Sequence, residues 1–196
     1  MNRITVFCGS SSGTEDVFEV KAKLLGQKLA RENIGLVYGG AKVGLMGAVA
    51  NGVLMEKGTV IGVLPHFLKS KEIAHQELTE LILVETMHER KTKMNDLCDG
   101  VITLPGGFGT LDEFFEMLTW GQLGLHKKPI GVLNINGFYD DLINLLNTMV
   151  NKGLLKEVNR EMVLISDDID NLLFKMKNYK APTAGKWIDK KNHSNK

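Results

Sequence analysis

The chain has 196 residues, 43% of them hydrophobic, and a formal net charge of +1 at pH 7. This length and composition predict one globular domain, and the balanced charge argues against a protein that binds nucleic acid through its phosphate backbone. No apolar run approaches the ~18 residues of a membrane-spanning helix, so we expect no membrane partner. Two cysteines, Cys8 and Cys98, are too few for a disulfide framework. Because no charged-then-apolar leader precedes Ile4, we expect a cytoplasmic protein.

Apolar runs of strand length alternate along the chain with segments whose apolar residues recur at helical spacing. The predicted strands cover residues 4–8, 35–38, 59–64, 81–84, 100–104, 129–133 and 162–165. Helices are predicted to begin near residues 14, 43, 86, 110, 139 and 167, with a loop or short helix at residues 66–80. This alternation predicts an α/β fold, a Rossmann-like doubly wound parallel sheet with right-handed crossovers. We place this single domain at residues 1–179 and a polar, flexible tail at residues 180–196.

Glycine-rich loops follow three of the predicted strands. The carboxyl ends of parallel strands share one edge of the sheet, so these loops gather where open α/β sheets bind their ligands. In the first loop, Ser10 and Ser11 either bond a phosphate or sugar hydroxyl, or only turn the chain and cap the next helix. The residues alone leave both interpretations open. Gly39 and Gly40 begin the second loop.

The third loop joins the strand at residues 100–104 to the next helix through Gly106, Gly107 and Gly109. Glycines let the backbone approach a ligand without an intervening Cβ. The first turn of the helix adds unpaired N–H groups and the positive end of its dipole. The combination predicts a cradle for an anion, with phosphate as the expected ligand.

Several familiar motifs are absent. The dinucleotide pattern Gly-x-Gly-x-x-Gly fails at Gly107, because Asp112 stands where the third glycine belongs, and no glycine loop ends in Gly-Lys-Ser or Gly-Lys-Thr. A zinc-protease helix would need a second histidine four residues after His88, where the chain has Thr92. We therefore expect no metal.

Charged residues lie at the start of two consecutive predicted helices. Arg90 and Lys91 fall in the first turns of the helix near residue 86, and Glu113 lies one turn into the next. A phosphate held by the glycine loop would gain a charged partner from Arg90 or Lys91 and leave its sugar over Glu113. The alternative is that these are solvated charges, with Asp112 and Glu113 only favouring the helix dipole. The spacing alone leaves both interpretations open.

Residues 105–113 fit the pattern PGGxGTxxE, and Met-His-Glu-Arg-Lys at residues 87–91 precedes them. Further matching segments are Cys-Gly-Ser-Ser at 8–11, Tyr-Gly-Gly at 38–40, Gly-Leu-Met-Gly at 44–47 and Leu-Thr-Trp at 118–120. In this order and spacing, the chain from about residue 3 to 175 resembles the Lonely Guy (LOG) family of cytokinin-activating phosphoribohydrolases. Its members were long labelled lysine decarboxylases, but no particular lysine here supports a pyridoxal phosphate site, so we expect no cofactor.

The resemblance implies hydrolysis of the N-glycosidic bond of nucleoside 5′-monophosphates, either cytokinin riboside monophosphates or AMP, to the free base and ribose 5-phosphate. It implies a homodimer, with a site that borrows residues across the interface, and Arg90 and Glu113 as the catalytic pair. The candidate substrate-binding residues are Ser10, Ser11, Gly39, Gly40, Glu72, Met87, Lys91, Gly106, Gly107, Phe108, Gly109, Thr110, Leu111, Asp112 and Thr119. Two positions depart from the family pattern: Asp112 stands for a second glutamate, and Ala41 replaces a third glycine.

Two rival functions stay open. A carrier of the same fold would bind a nucleotide, the molybdenum cofactor or single-stranded DNA in the same cradle without hydrolysis. The near-neutral charge argues against DNA, and the pairing of Arg90 with Glu113 favours chemistry over carriage. An enzyme acting on another phosphoribosyl compound is the second rival.

Overall fold

The centre of the molecule is one sheet in which every strand runs parallel to its neighbours. The computed structural model describes residues 1–69 and 74–182. Within them lie seven strands: β1 (Arg3–Phe7), β2 (Gly35–Tyr38), β3 (Val60–Pro65), β4 (Glu80–Val84), β5 (Gly100–Thr103), β6 (Ile130–Leu133) and β7 (Val163–Ser166). They pair in the order β4-β3-β2-β1-β5-β6-β7.

Helices connect the strands and cover both faces of the sheet. They are α1 (Asp16–Arg31), α2 (Gly44–Met55), α3 (His66–Lys69), α4 (Met87–Leu97), α5 (Phe108–Gln122), α6 (Asp140–Asn151), α7 (Glu157–Arg160) and α8 (Ile169–Lys177), with a 3₁₀ turn at Ile135–Gly137. Apolar side chains of α1, α2 and α8 pack on one face, and those of α4, α5 and α6 pack on the other. The inner strands β2, β3, β5 and β6 are mostly apolar because both of their faces are buried, whereas the edge strand β4 is only partly buried.

The strand order reverses between β1 and β5. The chain runs outward from β1 to β4 on one side, and then returns to place β5 beside β1 before it builds β6 and β7. Just beyond the strand ends, the Gly9 N–H donates to the Pro105 carbonyl oxygen at 3.0 Å. Open α/β sheets bind ligands in the crevice at such a reversal, so the topology places a candidate site after β1 and β5.

The predicted Rossmann-like α/β fold is confirmed, and each predicted strand is found within two residues of its expected bounds. Three helix starts differ from the prediction by two residues: α1 begins at Asp16 rather than near residue 14, and α8 begins at Ile169 rather than near residue 167. α5 begins at Phe108 rather than near residue 110, so Phe108 and Gly109 belong to its first turn. The short helix α7 was not predicted. The proposed boundary at residue 179 stays a prediction, and residues 183–196 of the expected tail lie outside the described residues. None of the helices in residues 1–69 and 74–182 is both long and apolar enough to cross a membrane.

Candidate active site

A pocket of about 290 Å³ opens at the reversal of the strand order. It lies between the loops that follow β1, β2 and β5 and the first turns of α4 and α5. Its lining residues are Val6, Phe7, Cys8, Gly9, Ser10, Gly39, Met46, Met87, Arg90, Met94, Gly107, Phe108, Gly109, Thr110, Asp112 and Glu113. Residues from five separate segments of the chain therefore meet in one crevice.

The Arg90 side chain, only 12% exposed, is held on three sides. Its Nη1 lies 3.0 Å from Glu113 Oε1, and its Nε donates to the Val63 carbonyl oxygen at 3.2 Å. Its Nη2 lies against Gly39, where an added Cβ would come within 2.2 Å of that nitrogen. The planar guanidinium thus has one orientation, which a lysine could not reproduce.

The Glu113 carboxylate stands beside Arg90 with only 9% of its side chain exposed. Burial raises the pKa of Glu113 above its ordinary value, while the charges of Arg90 and Lys91 partly oppose the rise. A carboxylate that is desolvated and more basic than usual is suited to accept a nearby proton or to stabilise a developing positive charge. The two charges are therefore not solvated: both members of the predicted catalytic pair are buried and in contact.

Lys91 is engaged by two carboxylates of the neighbouring helix. Its Nζ lies 2.7 Å from Asp112 Oδ2 and 3.2 Å from Glu116 Oε2. Burial lowers the pKa of Lys91, but the hydrogen bonds that its ammonium donates to Asp112 and Glu116 outweigh that effect, and the net shift of the pKa is upward. Lys91 is therefore charged, its charge is matched within the protein, and it links α4 to α5 next to the Arg90–Glu113 pair.

The first turn of α5 presents backbone donors to the pocket. Gly107 is the N-cap residue and no side chain caps the helix. The first intrahelical bond runs from the Leu111 N–H to the Gly107 carbonyl oxygen at 3.1 Å, so the N–H groups of Phe108, Gly109 and Thr110 precede it. These donors and the positive end of the helix dipole are the features from which an anion cradle was predicted, and the binding of an anion there stays a prediction.

The glycines of the PGGxGT segment have different surroundings. A Cβ on Gly106 would come within 2.1 Å of Thr110 Oγ1 and 2.9 Å of the Gly9 nitrogen, so close packing within the protein requires this glycine. A Cβ on Gly107 or Gly109 would meet no atom within 4 Å. Packing within the protein therefore does not require glycine at these two positions. A ligand bound against the start of the helix would require it, because a Cβ would occupy the ligand's space.

The other predicted residues divide between the pocket and its surroundings. Ser10, Met87, Phe108, Thr110 and Asp112 line the pocket, with Phe108 95% exposed at its rim. The remaining predicted substrate contacts in the described residues, Ser11, Gly40, Lys91, Gly106, Leu111 and Thr119, are not among the lining residues.

Three of these outlying residues have local roles. Ser11 Oγ accepts a hydrogen bond from the Gly13 N–H at 3.2 Å, which is the turn-forming alternative considered for this serine. Gly40 adopts φ +80°, which favours glycine, and packs against Leu64 and Gly62. Thr119 Oγ1 donates to the Phe115 carbonyl oxygen at 2.8 Å, and the helical rise places this residue about 9 Å along α5 from Glu113. Glu72 lies outside the described residues, and the substrate contacts expected of all these residues stay predictions.

Other pocket residues were not predicted to bind substrate: Val6, Phe7, Cys8, Gly9, Met46 and Met94. A sequence signal existed for Cys8 and Gly9, which directly follow β1, and for Met46, which lies in the first turn of α2 within the Gly-Leu-Met-Gly segment. Burial raises the pKa of the Cys8 thiol far above its ordinary value, so it is uncharged and unsuited to act as a nucleophile. In residues 1–69 and 74–182, no three His, Cys, Asp or Glu side chains are grouped to hold a metal ion.

Comparison with known proteins gives matches over most of the chain. A protein-family model described as "Possible lysine decarboxylase" matches residues 46–176. The chain is 41% identical over 188 residues to the cytokinin riboside 5′-monophosphate phosphoribohydrolase LOG2 of Arabidopsis thaliana. The aligned region covers 96% of this chain and 88% of that protein. It is 39% identical over 194 residues to the cytokinin riboside 5′-monophosphate phosphoribohydrolase LOG of Oryza sativa subsp. japonica. That alignment covers 98% of this chain and 80% of the rice protein.

A solved structure shares the fold at lower identity. The molybdenum cofactor binding protein from the phototrophic bacterium Rippkaea orientalis superposes with a TM-score of 0.68 and 24% identity. The match covers 89% of this chain and 94% of that one. Identity at this level extends the likeness to the fold alone.

Proposed function

The chain belongs to the LOG family of cytokinin riboside 5′-monophosphate phosphoribohydrolases, and from this membership we propose that it is a nucleotide phosphoribohydrolase. In the proposed reaction, water adds to ribose C1′ of a nucleoside 5′-monophosphate as the C1′–N bond breaks. The base leaves with a proton, and ribose 5-phosphate remains. The observation that carries the proposal is the buried contact between Arg90 and Glu113 beside the open first turn of α5.

The 5′-phosphate is assigned to the first turn of α5. The N–H groups of Phe108, Gly109 and Thr110 are available there, and the open space at Gly107 and Gly109 admits phosphate oxygens. The phosphate is remote from the bond that breaks, so its binding energy serves to position the ribose. This placement brings the sugar toward Glu113, one turn further along the helix.

Glu113 and Arg90 are assigned to the chemical step. Breaking the C1′–N bond develops positive charge on the ribose, which a nearby carboxylate stabilises, and the same carboxylate can orient and deprotonate the attacking water. Glu113 is buried, so its charge acts through a less polar medium than water. Arg90 holds Glu113 in place and offsets negative charge on the substrate.

We assign the base to the apolar side of the pocket. Met46, Met87 and Met94 line it together with Phe108. Flexible thioether side chains adapt to ligands of different shape, and an aromatic ring at the rim can pack on a purine. This lining suits both plain adenine and adenine with an apolar N6 substituent, so AMP and cytokinin riboside monophosphates are the proposed substrates.

We further propose that the protein works as a homodimer in the cytoplasm and has no nucleic-acid partner. Large exposed apolar side chains on and just after α5, including Phe108, Leu123 and Leu125, support a dimer, because such surface is usually buried in an interface. Two free, buried cysteines support a reducing compartment. The formal charge of +1 supports a small-molecule substrate over a polyanion.

The test is to incubate the purified protein with AMP and with isopentenyladenosine monophosphate, and to measure ribose 5-phosphate release. We expect release from at least one substrate, and a fall in kcat of about 10² to 10⁴-fold in Glu113→Gln, because the amide keeps the shape but not the charge. Glu19→Gln, an exposed change on α1, is the matched control and should keep full activity.

Two results would contradict the proposal. Full activity in Glu113→Gln would remove the carboxylate from the mechanism. Tight nucleotide binding without any release of base would instead favour the carrier alternative.

A further inference from the structure

His75 is a buried histidine outside the pocket, with 8% of its surface exposed. Both of its ring nitrogens have partners. Nδ1 accepts a hydrogen bond from the Glu77 N–H at 3.2 Å, so the ring proton lies on Nε2, which donates to Asn51 Oδ1 at 3.0 Å. This pattern fits only the neutral ring, because an imidazolium would turn a second N–H toward the Glu77 N–H.

The backbone around His75 is tied to the loop that follows β2. The His75 N–H donates to the Gly40 carbonyl oxygen at 2.9 Å, and Ala74 forms an antiparallel bridge with Ala41. Since Asn51 lies on α2, His75 joins this loop, α2 and the segment at residues 74–77.

The loop after β2 touches the catalytic pair. Gly39 directly precedes Gly40 and lies so close to Arg90 Nη2 that an added Cβ would be 2.2 Å away. On its other side, the Arg90 guanidinium contacts Glu113 and the Val63 carbonyl oxygen. A displacement of Gly40 is therefore passed through Gly39 to Arg90.

We propose that neutral His75 is a positioning residue for Arg90, and that protonation of its ring releases the Gly39–Gly40 turn and lowers turnover. The inference rests on the proposed function, since it concerns how the catalytic pair is held. Protonation replaces the Glu77 N–H to Nδ1 hydrogen bond with two opposed donors, which weakens the attachment of the loop.

The charges around His75 keep its ring neutral. Burial lowers the pKa of His75 below its ordinary value, Lys42 acts in the same direction, and Glu77 opposes both. The unfolded chain therefore takes up this proton at a higher pH than the folded protein does. The contribution of His75 to stability is full above the unfolded pKa of about 6.5 and declines as the pH falls toward the folded value.

The sharpest variant is Asn51→Asp, which places a carboxylate of the same shape at the Nε2–H and so favours the imidazolium. We expect the acid-side fall of kcat to move to higher pH by about one unit, with KM little changed. In His75→Gln, which cannot titrate, we expect the part of the acid-side fall due to His75 to disappear, so that only the fall from protonation of Glu113 remains. We expect kcat at neutral pH to drop about fivefold, as for the loss of one hydrogen bond. His66→Gln, which alters an exposed histidine, is the control and should keep the wild-type profile.

Two measurements separate failure of this inference from failure of the proposed function. NMR of the ring nitrogens should report the Nε2–H tautomer of His75 and a raised pKa in Asn51→Asp. The pH dependence of AMP binding, followed by calorimetry, should shift in the same variant even if no substrate is turned over. A His75 titration that moves in Asn51→Asp while the profiles of kcat and AMP affinity stay unchanged would overturn the inference, as would the opposite tautomer.

Discussion

Replacing Gly39 with alanine adds a single methyl group beside Arg90, the arginine that we propose to be catalytic. The new Cβ would lie 2.2 Å from Arg90 Nη2 and 3.0 Å from Met46 Sδ. Gly39 is not among the glycines with positive φ, so the backbone accepts alanine without strain. Whatever the variant loses is therefore due to the contact between the methyl group and its neighbours.

The size of the effect follows from these distances. An ordinary contact of 3.4 Å requires the guanidinium to retreat by about 1.2 Å, about the displacement that costs 10²-fold in a preorganised site. Arg90 has little freedom to retreat, because its Nε and Nη1 are already bonded to Val63 and Glu113 at 3.2 and 3.0 Å. We therefore expect Gly39→Ala to lose about 10²-fold in kcat, with a smaller change in KM.

The assay is steady-state release of ribose 5-phosphate, with thermal unfolding measured in parallel to show that the variant is folded. Gly109→Ala is the informative comparison, because its added Cβ meets no protein atom and lies where we place the phosphate. It should raise KM for the nucleotide while the protein keeps or slightly gains stability, since alanine is favoured over glycine in a helix. A folded Gly39→Ala variant with wild-type kcat would refute the reasoning that this glycine seats Arg90.

Two further outcomes test the site. Lys91→Met should lower the free energy of unfolding in urea by about 1 to 2 kcal/mol, because it leaves two carboxylates unpaired; the loss is smaller than for a fully buried pair because Asp112 is 62% exposed. Lys91→Arg should recover most of the loss. Equal stability of the wild type and both variants would show that the link between α4 and α5 contributes nothing. Adenosine should be cleaved with a lower kcat as well as a higher KM than AMP, because the phosphate positions the ribose, and equal efficiency on both substrates would rule out the phosphate cradle at α5.

The sequence was sufficient to predict the sheet, because a strand buried on both faces is a short apolar run and glycines mark its end. The start of α5 was harder to predict. Phe108 and Gly109 are weak helix formers, but the first turn of a helix tolerates them. The glycine-rich pattern therefore led us to place these two helical residues in the preceding loop. Arg90 and Glu113 were both predicted, and the structure adds that they touch.

The ion-pair partner of each charged residue could not be predicted from the sequence. Either Arg90 or Lys91 was expected to pair with a phosphate, and Lys91 to contact substrate. The structure pairs Lys91 with Asp112 and Glu116, one helical turn apart on α5, and its contact with substrate stays a prediction. Such pairs depend on the angle at which two helices cross, which periodicity does not specify. The contact between Gly39 and Arg90 joins segments separated by two strands and is likewise a product of tertiary packing.

The reversal of the strand order also determines when the crevice can exist during synthesis. β1 is made before the other six strands of the described residues, yet one of its two neighbours is β5, with Ile4 paired to Gly100. A nascent chain that ends before β5 can pair β1 with β2 and extend the sheet to β4. It lacks both the turn that we propose for the phosphate and the carboxylate that lies one turn beyond it. Contacts of such long sequence separation form slowly, because the loop between them must close first. The binding crevice is thus assembled late in folding, and only half of the sheet can precede it.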